Sequence, residues 1–170
     1  MNIAIDLLVF DFDGVLTDNR VWVMENGLEA VACHRGDGLG FDMLRKLGVP
    51  VLILSTESNP VVRARAGKLR VPVTQGVGDK AGQLRAYCQE RGYALSRVLY
   101  VGNDLNDYEV MKLVGYAVAV ADAHPLIRDM AWRVTRCRGG DGVVRELLEE
   151  ILAIDPLAVL KLSSTEAASS

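Results

Sequence analysis

Leu7-Leu8-Val9-Phe10-Asp11-Phe12-Asp13-Gly14-Val15-Leu16-Thr17-Asp18 decides the reading of this chain. Four unbroken apolar residues form the pattern of a strand buried on both faces, and two carboxylates follow at once. In extended backbone, residues two apart point the same way, so Asp11 and Asp13 leave the strand end on one side. In an open parallel sheet the carboxyl ends of the strands border the ligand crevice. Two acids set there repel each other unless a cation lies between them, and oxygen-only ligation suits magnesium. Spacing excludes an EF-hand calcium loop: counted from Asp11, Gly14 falls fourth rather than sixth, and Trp22 holds the twelfth place, which needs glutamate. Use of both acids as turn or helix-cap residues is the remaining alternative.

Outward from this stretch, short apolar runs at 51–54, 71–73, 98–101 and 117–120 alternate with helix-like segments near 38–47, 60–69, 79–91, 105–113, 124–130 and 141–153. Short buried strands separated by helices predict a doubly wound, Rossmann-like α/β sandwich around a parallel sheet. Residues 20–33 break the alternation and read as a β-hairpin with a two-residue turn at Asn26-Gly27. Trp22 and Val23 on it are a surface for another subunit or for the parent domain. Residues 1–153 are expected to form one domain, and 154–170 a flexible C-terminal tail.

At 170 residues the chain has room for one domain with a buried core. Its formal net charge of -3, without a basic stripe, argues against nucleic-acid binding. No charged n-region precedes an apolar run, and no stretch reaches the ~20 apolar residues of a membrane span. A cytoplasmic protein that does not insert into membranes is expected. Cys33, Cys88 and Cys137 are widely spaced and odd in number, which fits reduced thiols.

A second acidic group lies in Val101-Gly102-Asn103-Asp104-Leu105-Asn106-Asp107, after one strand and at the start of a helix. Asp104 and Asp107 are three apart, so both can face the crevice from the first turn. An N-cap role is the plainer reading of Asp104 alone. Two strand ends each carrying an acidic pair favour a shared cation. Ser55 follows the strand at 51–54, and Lys80 opens the helix near 79–91. A hydroxyl and an ammonium are what a phosphate dianion needs beside a metal ion. The Gly36-Asp37-Gly38-Leu39-Gly40 run fails the dinucleotide pattern in spacing and context. Asp37 reads as a helix cap or a hydroxyl contact, and His34 has no assignable partner.

In the order Asp-x-Asp, Ser, Lys, Gly-Asn-Asp-x-x-Asp, these residues resemble the four motifs of the haloacid dehalogenase superfamily, over residues 6–152. The resemblance implies a magnesium-dependent phosphatase in which Asp11 is the nucleophile and Asp13 the general acid and base. Ser55 and Lys80 would hold phosphate oxygens, while Asp11, Asp13, Asp104 and Asp107 would serve the metal. With only a hairpin after the first motif, and 24 residues between Ser55 and Lys80, no cap domain fits. The capless layout and the late Gly139-Gly140-Asp141-Gly142 are similar to the sugar-acid phosphatases acting on 3-deoxy-D-manno-octulosonate 8-phosphate, which are homotetramers with shared active sites. Where octulosonate enzymes usually carry Thr-Gly-Arg, this chain has Ser55-Thr56-Glu57, with Arg65 and Lys68 after it. That departure looks like the branch acting on nine-carbon keto-sugar acids such as 2-keto-3-deoxynononate 9-phosphate, the preferred expectation here. Thr17, Asp37, Thr56, Glu57, Arg65, Lys68 and Asn103 are the substrate-contact candidates. Glu57 and Lys68 have a plainer alternative as cap and surface residues of the helix at 60–69. A non-catalytic oligomerisation module of the same fold is the rival class, and its mark would be a lost catalytic carboxylate.

Overall fold

The computed structural model describes residues 4–161. Strand β1 (Leu7–Phe10) is wholly buried and pairs in parallel with β4 (Val51–Leu54) on one side and β6 (Val98–Gly102) on the other. With β5 (Val73–Thr74), β7 (Tyr116–Ala119) and β8 (Arg133–Val134), they form a six-stranded sheet in the order β5-β4-β1-β6-β7-β8. Every pairing in it is parallel. The chain runs outward from β1 through β4 and β5, then returns to start again at β6. That reversal beside β1 opens a crevice at the carboxyl ends of the strands. The expected doubly wound α/β architecture is therefore present.

Between the strands run α1 (Gly36–Lys46), α2 (Pro60–Leu69), α3 (Lys80–Arg91), α4 (Tyr108–Leu113) and α5 (Pro125–Met130), and α6 (Val143–Glu146) follows β8. Phe10 meets Phe41 of α1 edge to face, ring centres 5.5 Å apart, in a core that also holds Tyr100, Leu84 and Leu148. The helix read at 105–113 is a 3₁₀ turn, Leu105–Asp107, leading into α4, and that at 141–153 is α6 continued by a π-type turn over Leu147–Ile151. Strand β8 had no apolar run to announce it, since Arg133 and Val134 are both exposed on the sheet edge.

Two expectations are corrected. The hairpin joins β2 (Thr17–Val23) to β3 (Glu29–Cys33), and its turn is longer than Asn26-Gly27. Gly27 N–H donates to Met24 O, Met24 N–H to Leu28 O, and Gly27 takes φ +81°, which is a type I turn closed by a left-handed glycine. Within 154–170, Ile154 is buried and Pro156–Leu160 form α7, with Asp155 capping the Leu157 N–H at 2.9 Å and the helix resting on α1. The rest of the expected tail, 162–170, lies outside the described residues.

Candidate active site

Asp11 is the first residue beyond β1, and its backbone N–H still donates to Val101 O across the sheet. Its Oδ1 accepts from the Phe12 N–H at 2.7 Å and from Lys80 Nζ at 2.9 Å. Lys80, the first residue of α3, is 3% exposed and also donates to Asp107 Oδ1 at 2.7 Å. The same oxygen accepts from the Tyr100 hydroxyl at 2.7 Å, while Asp107 Oδ2 takes the Asn103 N–H at 2.8 Å. Burial pushes the Asp11 carboxyl up to about 8, with Asp107 adding to the rise and Lys80 opposing it. For Lys80 burial acts downward, but Asp11 and Asp107 outweigh it and hold the ammonium above its usual range. One ammonium thus stands against two buried carboxylates.

Gly14 lets the chain fold back after Asp13. It has φ +78°, and a Cβ there would lie 2.0 Å from Asn103 Nδ2. Phe12 O accepts from the N–H groups of Val15, Leu16 and Thr17, closing a tight loop. Asp11, Asp13, Asn19, Thr56, Asn103 and Asp104 line a cavity of about 330 Å³ over this loop. Burial raises the Asp13 carboxyl above its usual value, with Glu57 and Glu29 adding to the rise and Lys80 opposing it. Ser55, buried at the end of β4, accepts the Glu57 N–H at 3.0 Å and keeps its own hydroxyl proton to donate.

The family model for haloacid dehalogenase-like hydrolases matches residues 57–147. The chain belongs to the haloacid dehalogenase-like hydrolases. It is 38% identical to the 3-deoxy-D-manno-octulosonate 8-phosphate phosphatase of Escherichia coli K12 over 149 residues, covering 87% of this chain and 79% of that one. Among solved structures it is similar to a HAD family hydrolase from Streptomyces avermitilis, with TM-score 0.87 and 50% identity, covering 94% of this chain and 90% of the other. It is also similar to the 3-deoxy-D-manno-octulosonate 8-phosphate phosphatase of Moraxella catarrhalis, a structure in complex with magnesium, phosphate and the octulosonate, with TM-score 0.84 and 32% identity over 88% of this chain and 86% of that one. Within the family this hydrolase is a capless form, because only β2 and β3 separate β1 from α1, and only α2 and β5 separate β4 from α3.

The substrate-contact candidates of this hydrolase divide into groups. Asn103 and Thr56 face the catalytic cavity. Glu57 lines an adjoining cavity of about 330 Å³ that shares Asp13, Asn19 and Thr56 with the first. Its Oε1 also caps the start of α2, accepting from the Ser58 and Asn59 N–H groups at 2.6 and 2.7 Å. Thr17 is corrected: fully buried, it holds the loop closed as its Oγ1 accepts from the Gly14 and Asn19 N–H groups. Asp37 is corrected too, for it lies buried between α1 and α6 with Oδ1 accepting the Val144 N–H at 3.0 Å. Arg65 and Lys68 belong to a separate basic cavity of about 500 Å³ shared with Arg35, Arg45 and Arg70. Asp107, expected to orient the metal shell and Lys80, has both oxygens engaged, one of them by Lys80 itself.

Among the described residues no three His, Cys, Asp or Glu side chains gather as a ready metal cage. Magnesium does not need one, since it keeps several waters and uses one or two carboxylates. Asp104 spends one oxygen on the Leu105 N–H at 2.7 Å, has the other outside that bond, and lines the same cavity as Asp11. Asn103 Oδ1 is buried there without a hydrogen-bond partner, an oxygen available to a cation or its water. Together with the surplus negative charge around Lys80, these donors fit the ion. Sequence reading missed Tyr100, Asn19, Asn59 and Glu29. A tyrosine inside a wholly apolar strand was the available signal for Tyr100, because a buried phenol demands an acceptor.

Proposed function

We propose that the protein is a phosphatase of phosphorylated keto-sugar acids, with Asp11 as nucleophile. The observation that carries this reading is the Asp11 carboxylate, pinned through Oδ1 by Lys80 and the Phe12 N–H, with Oδ2 left free on a cavity that Asp13 also lines. Asp11 Oδ2 attacks phosphorus, and the bond from phosphorus to the sugar oxygen breaks as Asp13 delivers a proton to that oxygen. Asp13, now a carboxylate, takes a proton from the water that splits the aspartyl-phosphate and releases inorganic phosphate. Lys80 and Ser55 hold phosphate oxygens. Magnesium held by Asp11, Asp104 and the Asp13 carbonyl would neutralise charge on the transferring group.

The eight-carbon substrate of the curated relatives, 3-deoxy-D-manno-octulosonate 8-phosphate, is the first candidate. It takes precedence over the nine-carbon acids preferred from sequence, because Lys68, which that preference paired with Glu57, lines a different cavity together with Arg65. A nine-carbon acid is the second reading, favoured by Glu57 at the mouth of the catalytic cavity. A homotetramer with shared sites accounts for Arg65 and Lys68, which would serve a neighbour, and for the exposed hairpin residues Val21, Trp22, Val23 and Leu28. Phosphate release across eight- and nine-carbon keto-acid phosphates, with magnesium and with EDTA, tests the reading. Magnesium-dependent turnover with the highest kcat/KM on the eight-carbon ester is expected. A preference for nine-carbon esters would move the assignment to the second reading, and full activity in EDTA would refute the mechanism.

A further inference from the structure

Asn19 has φ +62°, a left-handed conformation that costs a side-chain-bearing residue on the order of 1 kcal/mol or more unless its surroundings impose it. Here they do. The Asn19 N–H donates to Thr17 Oγ1, and the passage of β2 from Thr17 to Val21 is matched on β3 only by that from Cys33 to Val31, so Asn19 sits in an irregularity of the hairpin. Gly139 and Gly140 press on the same segment from outside. A Cβ on Gly139 would fall 1.9 Å from Gly14 O, and one on Gly140 would fall 2.5 Å from Asp18 N. Irregularities of this kind next to active sites re-aim a side chain.

The re-aimed side chain has a destination. Asn19 lines both the catalytic cavity and the adjoining cavity, as do Asp13 and Thr56. Its amide makes no hydrogen bond among the described residues, although it offers both donors and an acceptor. The adjoining cavity is lined on its far side by Glu29 and Glu57. Asn59 fixes both: its Nδ2 donates to Glu29 Oε2 at 2.8 Å and its backbone N–H to Glu57 Oε1 at 2.7 Å, leaving one oxygen of each carboxylate free.

We infer that Asn19 is a specificity-determining residue that binds a hydroxyl of the leaving group, next to the oxygen protonated by Asp13, in a cavity selective for polyhydroxylated alcohols. The inference rests on the phosphatase reading. Neutral hydroxyls donate to Glu29 and Glu57, and with Asp13 these acids outnumber Arg20 in the lining, so the acid end of a sugar-acid substrate points out of the cavity. Asn19→Gly tests the side chain cleanly, because glycine takes a positive φ without strain and the fold is retained. The measurement is kcat/KM of wild type and variant on a panel of sugar-acid phosphates, neutral sugar phosphates and p-nitrophenyl phosphate. Losing one hydrogen bond is expected to lower the ratio of the best sugar ester to p-nitrophenyl phosphate about tenfold. An unchanged ratio overturns the role of Asn19 whichever sugar ester is best. Wild-type turnover of neutral sugar esters in preference to sugar acids would refute the sugar-acid reading and leave the Asn19 comparison intact.

Discussion

The Asp11–Lys80–Asp107 cluster sets the behaviour of individual residues. Asp107 accepts from Lys80, the Tyr100 hydroxyl and the Asn103 N–H, so Asp107→Ala leaves buried donors without an acceptor while Lys80 keeps its pair with Asp11. A buried group left unsatisfied costs about 1–3 kcal/mol, and urea unfolding of the variant is expected to give a loss of at least that size. Tyr100→Phe removes only one hydrogen bond to a charged acceptor and should cost about 1.5–3 kcal/mol. The pH dependence follows from Asp11. Its carboxyl rises from 3.8 to about 8 on folding without metal, so between those values the folded state binds the extra proton. Stability of the chelated protein therefore falls as pH rises across that window, and Asp13 and Asp37, both raised by burial, add the same sign. Lys80, raised, remains charged throughout and contributes no slope there. Melting temperature in EDTA should decline from about pH 5 to about pH 8, inside this window, and Asp11→Asn should flatten most of the decline; equal slopes would contradict the assignment. Asp11, Asp13, Ser55, Lys80 and Asp104 were legible as polar residues at strand ends and a helix start, and the roles proposed for them came from the resemblance to the four motifs taken together. Thr17 and Asp37 were not, because a buried hydroxyl or carboxylate that closes a loop leaves the same sequence trace as one that meets a ligand.

At the scale of elements, the loop after β1 and the loop before α6 support each other. Gly140 N–H donates to Val15 O at 3.0 Å, and Gly139 packs against Gly14 O with no room for a methyl group. Backbone on both sides leaves nothing soft to yield, so Gly139→Ala should destabilise by at least about 2 kcal/mol and reduce kcat by displacing Asp13. Thermal melting and steady-state kinetics on one preparation check both effects. The strands of the sheet centre were legible because burial on both faces writes itself as unbroken apolar runs. Edge strand β8 was invisible for the opposite reason, since two exposed residues carry no pattern. Helix α7 was hidden by its length, although Asp155-Pro156 is a cap followed by proline at the first turn, a readable start signal.

The whole molecule is a capless hydrolase whose catalytic crevice is open and whose hairpin exposes Trp22 at 68%, Val23 at 65% and Leu28 at 65%. In the proposed homotetramer a second copy of the chain would cover these apolar side chains. Light scattering is expected to give a tetramer, and Trp22→Glu with Leu28→Glu to dissociate it with a loss of sugar-acid turnover. A fully active monomer would contradict shared sites. Fold and reaction were legible together because phosphoryl transfer needs little beyond positioned charge, and those positions are strand ends. Substrate was not, because Glu57, Arg65 and Lys68 are close in sequence yet line two different cavities. The central claim, that Asp11 carries the phosphoryl group, is tested most directly by rapid-quench mass spectrometry during turnover. A phosphoryl adduct on the peptide bearing Asp11, absent from Asp11→Asn together with phosphate release, is the predicted result; phosphate release by Asp11→Asn at the wild-type rate would contradict it.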